Sequence, residues 1–235
     1  MDRKIKIAIV IIVVLILGYG IYYLTSYYPS EDNVDQFLNG SGNVSVIKQS
    51  NGLLLDGPGN DSALIFYPGA KVEYTSYLPM FTDLASQGVD CYLVEMPFNI
   101  AFFASDSADS IIENSSYSHY YISGHSLGGV VAASYANRTS GIDGVILFAA
   151  YPTEDINIPV LSIYGSQDKV LNLEKYNESK HLIKGNFTEF VVDGGNHEQF
   201  AYYGTQSGDG KATITPENQQ MQAIDEIVKF VETYN

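Results

Sequence analysis

Cysteine, tryptophan and positive charge are all scarce in this chain of 235 residues. The single cysteine, Cys91, excludes an internal disulfide, and its place in the apolar run VDCYLVEM predicts a buried core thiol. No group of cysteines and histidines has the spacing of a zinc site, and the sequence implies neither a metal nor a cofactor. Tryptophan is absent, and no function follows from that absence.

Positive charge is outnumbered throughout the chain. Lys and Arg total 12 against 27 Asp and Glu, which gives a formal net charge of −15. A surface of this charge repels the phosphates of nucleic acid. We therefore exclude nucleic acid as a partner, and the simplest use of the excess negative charge is solubility.

One long hydrophobic run is present, at the N-terminus. Residues 7–24 are uncharged and mostly apolar, and as a helix they would span about 27 Å, close to the thickness of a bilayer core. Three basic residues precede the run and acidic residues follow it. The positive-inside rule then predicts a single-pass signal anchor in the cell membrane, with the N-terminus cytoplasmic and the rest of the chain outside.

A cleaved signal peptide is the competing interpretation of this run. Its apolar region is usually shorter and ends at an A-x-A-like cleavage site, which the stretch GYGIYYLTSYY does not offer. The predicted organisation is therefore a cytoplasmic basic tail (1–6), a transmembrane helix (7–24), a polar linker (25–43) and one catalytic domain (44–235).

From residue 44 onward, apolar strand-like runs alternate with helical patterns. This alternation predicts an α/β fold with a mostly parallel sheet of about eight strands and helices on both faces. Only about ten residues separate the strand patterns GVILFAA and VLSIYG, which leaves no room for a large cap domain. The stretch NIAFFASDSADSIIENS, residues 99–115, has a helical pattern.

The stretch GHSLGG lies between a strand pattern and a helix pattern. It matches G-x-S-x-G, in which a serine sits on a sharp strand-to-helix turn and glycines prevent a collision with it. The sequence therefore predicts Ser126 as a nucleophile. His125 is expected to be a structural neighbour, since the base must approach from another loop.

Two further strand ends carry acid and base candidates. Asp168 follows the strand VLSIYG, and His197 follows the strand TEFVVDG. The chain order Ser126, Asp168, His197 is the order of a Ser-Asp-His hydrolase triad, with His197 as the base and Asp168 orienting it. Asp193 and Glu198 compete for the acid role.

An oxyanion hole needs two donors. The backbone N–H of Leu127, directly after the predicted nucleophile, is the first candidate. The second is the backbone N–H of Ala70, in the loop after ALIFYPG, with Lys71 as the next choice.

The chain from about residue 44 resembles the α/β-hydrolases, and more closely a small subgroup described as α/β-hydrolase fold-5 or dienelactone-hydrolase-like. The stretches that carry the resemblance are YPGAKVEYTSYLPMFTDLASQG, EMPFNIAFF, SGHSLGG, LSIYGSQDKV and GGNHEQFAYYGTQSGDGKATIT. The resemblance implies an eight-stranded fold, the triad Ser126, Asp168 and His197, and hydrolase activity. Dienelactone hydrolases proper use a cysteine nucleophile, so their substrate is not carried over to Ser126.

The expected reaction is hydrolysis of a carboxylic ester through an acyl-enzyme on Ser126, on a small or medium acyl substrate. A thioesterase, an amidase or peptidase, and an acyltransferase remain alternatives, because one fold hosts many activities. A catalytically silent extracellular binding module is the alternative from another class. The sequence does not define the oligomeric state, and Phe98, Phe102 and Phe103 are expected to form core or an apolar wall of the site.

Overall fold

The computed structural model describes residues 2–59 and 61–235, so Met1 of the predicted tail and Asn60 lie outside the described residues. The α-helices of this part of the chain are α1 (Arg3–Thr25), α2 (Leu78–Ser86), α3 (Ser107–Asn114), α4 (Leu127–Arg138), α5 (Leu173–Ser179) and α6 (Pro216–Tyr234). The strands are β1 (Ser45–Gln49), β2 (Gly52–Asp56), β3 (Ser62–Tyr67), β4 (Val89–Val94), β5 (His119–His125), β6 (Gly144–Phe148), β7 (Val160–Gly165) and β8 (Phe187–Val192).

All eight strands form one sheet in the order β1-β2-β4-β3-β5-β6-β7-β8. β1 and β2 pair as an antiparallel hairpin, and β2 is antiparallel to β4. Every other pairing, from β4 through β3 and β5 to β8, is parallel. The carboxyl ends of β3 and β5–β8 therefore meet at one edge, where ligands bind in open parallel sheets.

Helices cover both faces of the sheet because the central strands are apolar on both sides. On β5, Tyr121 joins the core formed with α2 and α6, whereas Ile122 joins the core formed with α3 and α4. Cys91 on β4 is fully buried, as the sequence predicts. Burial raises the pKa of its thiol well above the ordinary value.

The predicted fold class is confirmed, with eight strands, a mostly parallel sheet and helices on both faces. Residues 149–159, between β6 and β7, are all described and contain no helix, which agrees with the prediction that no large cap enters there.

The helix predicted over residues 99–115 is shorter than expected. Residues 97–104 form two 3-10 turns, and α3 begins only at Ser107. Phe98 and Asn99 have φ values of 55° and 54°, in the left-handed region that a right-handed helix excludes. The pattern of apolar spacing cannot reveal this backbone reversal.

Among the described residues, α1 is the one helix long and apolar enough to cross a membrane, a property that a signal sequence near an N-terminus shares. The segment after it, predicted to be a linker, is packed on the domain over part of its length. Tyr28 exchanges backbone hydrogen bonds with Lys71 and Glu73 at 2.6 and 3.0 Å, and Val34 is 1% exposed in the core.

Candidate active site

Ser126 lies at the turn between β5 and α4, where the sequence predicts a nucleophile. Its φ of 53° and ψ of −121° place it outside the regions that non-glycine residues prefer, a strain of about 1–3 kcal/mol that persists only where the surrounding structure enforces it. The backbone N–H of Ser126 donates to the carbonyl of Phe148 on β6 at 2.9 Å. The turn lifts the serine to the carboxyl edge of the sheet, at the positive end of α4.

Two glycines make this turn possible because backbones approach closely on both sides of Ser126. A Cβ on Gly124 would lie 2.4 Å from the carbonyl carbon of Gly128. A Cβ on Gly128 would lie 2.2 and 2.3 Å from the carbonyl oxygens of Tyr67 and Pro68. The first turn of α4 therefore packs directly against the end of β3, where the loop with Ala70 begins.

Asp168 and His197 are brought together by the loops after β7 and β8. Asp168 Oδ2 accepts a hydrogen bond from His197 Nδ1 at 2.8 Å, and both side chains are almost fully buried. Asp168 Oδ1 accepts from the backbone N–H groups of Val170 and Leu171, both at 2.8 Å. The carboxylate is thus fixed before it orients the imidazole.

The other ring nitrogen of His197, Nε2, is buried and has no hydrogen-bond partner in the described part of the chain. Of the two competing acids, Asp193 accepts a bond from Ser166 Oγ at 3.2 Å, and Glu198 accepts from the backbone N–H of Gln206. The carboxylate that reaches the His197 ring is Asp168.

Asp209 ties the acid loop to the histidine loop. Its Oδ2 accepts from the backbone N–H groups of His197 and Glu198 at 2.9 and 3.0 Å, and its Oδ1 accepts from those of Lys169 and Gly210 at 3.2 and 2.7 Å. Sequence reasoning missed this role, because the pattern Gly-Asp-Gly indicates only a turn.

Tyr77 supports the loop after β3 through a hydrogen bond to its backbone. Its hydroxyl accepts from the backbone N–H of Gly69 at 3.1 Å and lies 2.8 Å from His125 Nδ1. Burial lowers the pKa of His125 well below its ordinary value, and the nearby His197 lowers it further. Burial raises the pKa of Tyr77, so a neutral phenol and a neutral imidazole share the hydrogen bond between them. No local sequence signal links Tyr77, His125 and Gly69.

A pocket of about 220 Å³ opens at this edge of the sheet. Its walls come from the start of α4, the loop after β6 and the loop after β7, and they are mainly apolar. The lining residues are Ser126, Leu127, Val130, Ala149, Ala150, Tyr151, Val170, Leu171, Asn172 and His197. Phe98, Phe102 and Phe103 are more than half exposed instead of forming core.

The two predicted oxyanion donors lie on different segments, Leu127 at the start of α4 and Ala70 in the loop after β3. The backbone N–H of Leu127 is at the first position of α4, where helices leave N–H groups unpaired. Neither this group nor the N–H of Ala70 makes a hydrogen bond to any described residue, whereas Lys71 N–H donates to Asn99 at 2.7 Å. Of the two choices in the loop after β3, Ala70 therefore retains a free donor.

Solved structures with this fold share little sequence with the chain. A dienelactone hydrolase from Anabaena variabilis has a TM-score of 0.63 at 13% identity, over 82% of this chain and 99% of its own. Est1E from Butyrivibrio proteoclasticus has a TM-score of 0.57 at 14% identity, over 81% and 100% of the two chains. Alpha/beta hydrolase domain-containing protein 10 from mouse has a TM-score of 0.59 at 12% identity, over 83% and 100%.

No curated protein sequence matches the chain. The family model described as "Alpha/beta hydrolase family" matches residues 63–221. This match covers more than half of the chain and includes Ser126, Asp168 and His197, and it confirms the resemblance drawn from the sequence. The chain therefore belongs to the alpha/beta hydrolase family.

Proposed function

We propose that this protein is a membrane-anchored serine hydrolase that cleaves a carboxylic ester through an acyl-enzyme on Ser126. The observation that carries the proposal is the Asp168–His197 pair, bonded at 2.8 Å. His197 lines the same pocket as Ser126, and its Nε2 has no partner among the described residues. A buried nitrogen without a partner is costly, and the Ser126 hydroxyl is the partner that this mechanism supplies.

In the first half-reaction, Ser126 Oγ attacks the ester carbonyl carbon while His197 Nε2 accepts the hydroxyl proton. Asp168 stabilises the imidazolium that forms and keeps Nε2 facing the serine. The alcohol leaves with the proton that His197 returns to it. Water then attacks the acyl-enzyme with His197 again as base, which releases the acid and restores Ser126.

The negative charge on the carbonyl oxygen is held by the backbone N–H groups of Leu127 and Ala70. Their free hydrogen-bonding capacity supports this assignment, as does the close packing of Gly128 against the end of β3. Each such donor contributes about 3 kcal/mol to lowering the barrier. The mechanism uses no cofactor.

The substrate is small on its acyl side. The pocket of about 220 Å³ is below the roughly 300–1,000 Å³ of typical ligand sites, and its walls of Val130, Val170 and Leu171 suit an apolar acyl group.

The anchor is α1, with 23 residues from Arg3 to Thr25 and a length of about 34 Å. None of its residues is buried against the domain, as expected for a helix whose apolar surface faces lipid. The basic residues in its first two turns, Arg3, Lys4 and Lys6, favour a cytoplasmic N-terminus and a domain outside the membrane. The N-terminal residue of the protein extracted from membranes tests this part, since cleavage between residues 25 and 30 would contradict it.

Covalent labelling by a fluorophosphonate tests the catalytic part on the full chain in detergent. We expect one adduct on the wild type by intact mass, none on Ser126→Ala, and slow labelling of His197→Ala because the serine loses its base. Ser207→Ala, in an exposed loop, is the matched control and should label fully. An adduct that persists in Ser126→Ala would overturn the assignment of the nucleophile.

A further inference from the structure

An uncharged loop, residues 97–105, connects β4 to α3, and we call it the aromatic loop. Its phenylalanines Phe98, Phe102 and Phe103 are 51%, 61% and 57% exposed. The rings of Phe98 and Phe103 meet edge to face with centroids 5.8 Å apart, so these two side chains form one patch, and the exposed Phe102 precedes Phe103 directly in the chain. Contiguous exposed apolar surface of this kind marks a binding surface for protein or membrane.

A single residue, Lys71, links the aromatic loop to the end of α1. Its backbone N–H donates to the carbonyl of Asn99 at 2.7 Å. Its ammonium group donates to the carbonyl of Tyr23 on α1 and lies 4.7 Å from the centre of the Tyr23 ring. The aromatic loop therefore lies beside the point where α1 reaches the domain.

The composition of this end of α1 sets its depth in a bilayer. Tyrosine is enriched where membrane spans meet the headgroups, and four exposed tyrosines occur within nine residues here. They are Tyr19, Tyr22, Tyr23 and Tyr27. Because Lys71 contacts Tyr23, the anchoring of α1 in the proposed function would bring the loop bonded to Lys71 near the headgroups.

We propose that the aromatic loop is a second membrane-binding element, and that Phe98, Phe102 and Phe103 insert into the bilayer that holds α1. The proposal rests on the anchoring role of α1 in the proposed function. The patch itself carries no charge, so a zwitterionic lipid surface suits it despite the acidic domain. Tethering through α1 keeps the patch at a high effective concentration near lipid, so three rings suffice.

This contact orients the candidate active site. The 3-10 turn at residues 101–104 packs against α4, whose first residue follows Ser126. Insertion of the aromatic loop would hold α4, and with it the site at its N-terminal end, near the bilayer surface. The esters that reach Ser126 are then those presented at that surface.

The absence of tryptophan allows a direct test on the full chain. Phe102→Trp and Phe103→Trp, made separately, each introduce one tryptophan into a protein that otherwise has none. Each variant is reconstituted into vesicles of zwitterionic phosphatidylcholine with brominated acyl chains, which quench tryptophan only on contact. Phe187→Trp is the matched control. Phe187 is the first residue of β8, the outermost strand of the sheet, and it is 36% exposed.

We expect tryptophan at position 102 or 103 to emit at shorter wavelength and to lose most of its fluorescence in brominated vesicles, while position 187 is unaffected. Emission at the wavelength of exposed tryptophan without quenching at both positions would overturn the proposal. A short-wavelength emission without quenching would also overturn it, because the patch would then be covered by protein. Fluorophosphonate labelling and intact mass of the same samples report on Ser126 and on the presence of α1, so failure of the proposed function is recognised separately.

Discussion

At the scale of single residues, the carboxylate of Asp209, which is outside the predicted triad, fixes the positions of two loops of the candidate site. The Asp168 loop and the His197 loop follow different strands. The Asp209 carboxylate accepts hydrogen bonds from backbone N–H groups of both loops. The distance between Asp168 and His197 thus depends on a third residue, which lies 12 residues after His197 and 40 residues after Lys169.

Replacing Asp209 with alanine should lower kcat about 10- to 100-fold, because small displacements of reacting groups are costly. KM should change little, since Asp209 does not line the pocket. Asp193→Ala removes the same charge from the His197 loop and is the control, with near wild-type kcat expected. Steady-state ester hydrolysis measures both, and equal kcat values for the two variants would contradict the role of Asp209.

Tyr77 is the second residue whose loss should reach the site indirectly. In Tyr77→Phe, the buried N–H of Gly69 and Nδ1 of His125 lose their partner, which costs about 1–3 kcal/mol of stability and loosens the loop that contains Ala70. We expect a lower unfolding free energy and a lower kcat. Tyr74→Phe is the control, because the Tyr74 hydroxyl makes no hydrogen bond within the described residues, and an identical effect of both variants would refute this account.

At the scale of elements, the site depends on how closely α4 approaches β3. Gly128 permits this approach, since the position of its missing Cβ is 2.2 Å from the carbonyl oxygen of Tyr67. Gly128→Ala should therefore force the two elements apart, at a cost of about 1–3 kcal/mol, and slow the labelling of Ser126. Ser134→Ala, half-buried on the same helix, should do neither. Denaturant unfolding and labelling rates test this, and wild-type values for Gly128→Ala would contradict it.

The strands and the order of site residues were predictable because each element has its own local pattern. Strand runs such as SHYYISG, and turns such as GHSLGG, contain their own structural signals. Residues 99–105 of the aromatic loop do not continue the α-helix predicted there, and the backbone reversal at Phe98 and Asn99 is accompanied by a contact with Lys71, far away in sequence. The role of Asp209 was missed for the same reason, since its partners outside its own turn come from two separate loops.

At the scale of the whole molecule, the segment after α1 is packed on the domain and does not run as a free chain. Val34, 1% exposed, belongs to the main core, and the backbone N–H of Glu31 donates to the carbonyl of Tyr202 at 2.9 Å. No local pattern in this polar stretch indicates such packing, because the cavity that receives Val34 is formed by distant residues.

Val34→Ala should therefore lower the unfolding free energy by about 2 kcal/mol, as expected for a buried aliphatic side chain. Val191→Ala makes the same chemical change at a position that is 41% exposed and should cost less than about 0.5 kcal/mol. Urea unfolding of both variants in detergent makes the comparison. A similar loss in each would show that the segment contributes no core packing.

The most direct measurement is hydrolysis of p-nitrophenyl esters of increasing acyl length by the full chain in detergent, beside Ser126→Ala. We expect turnover that favours short acyl chains, because the pocket is small. The substitution should lower kcat on the order of 10⁶-fold, as when the serine of a triad is lost. Ester hydrolysis at the wild-type rate by Ser126→Ala would contradict the account.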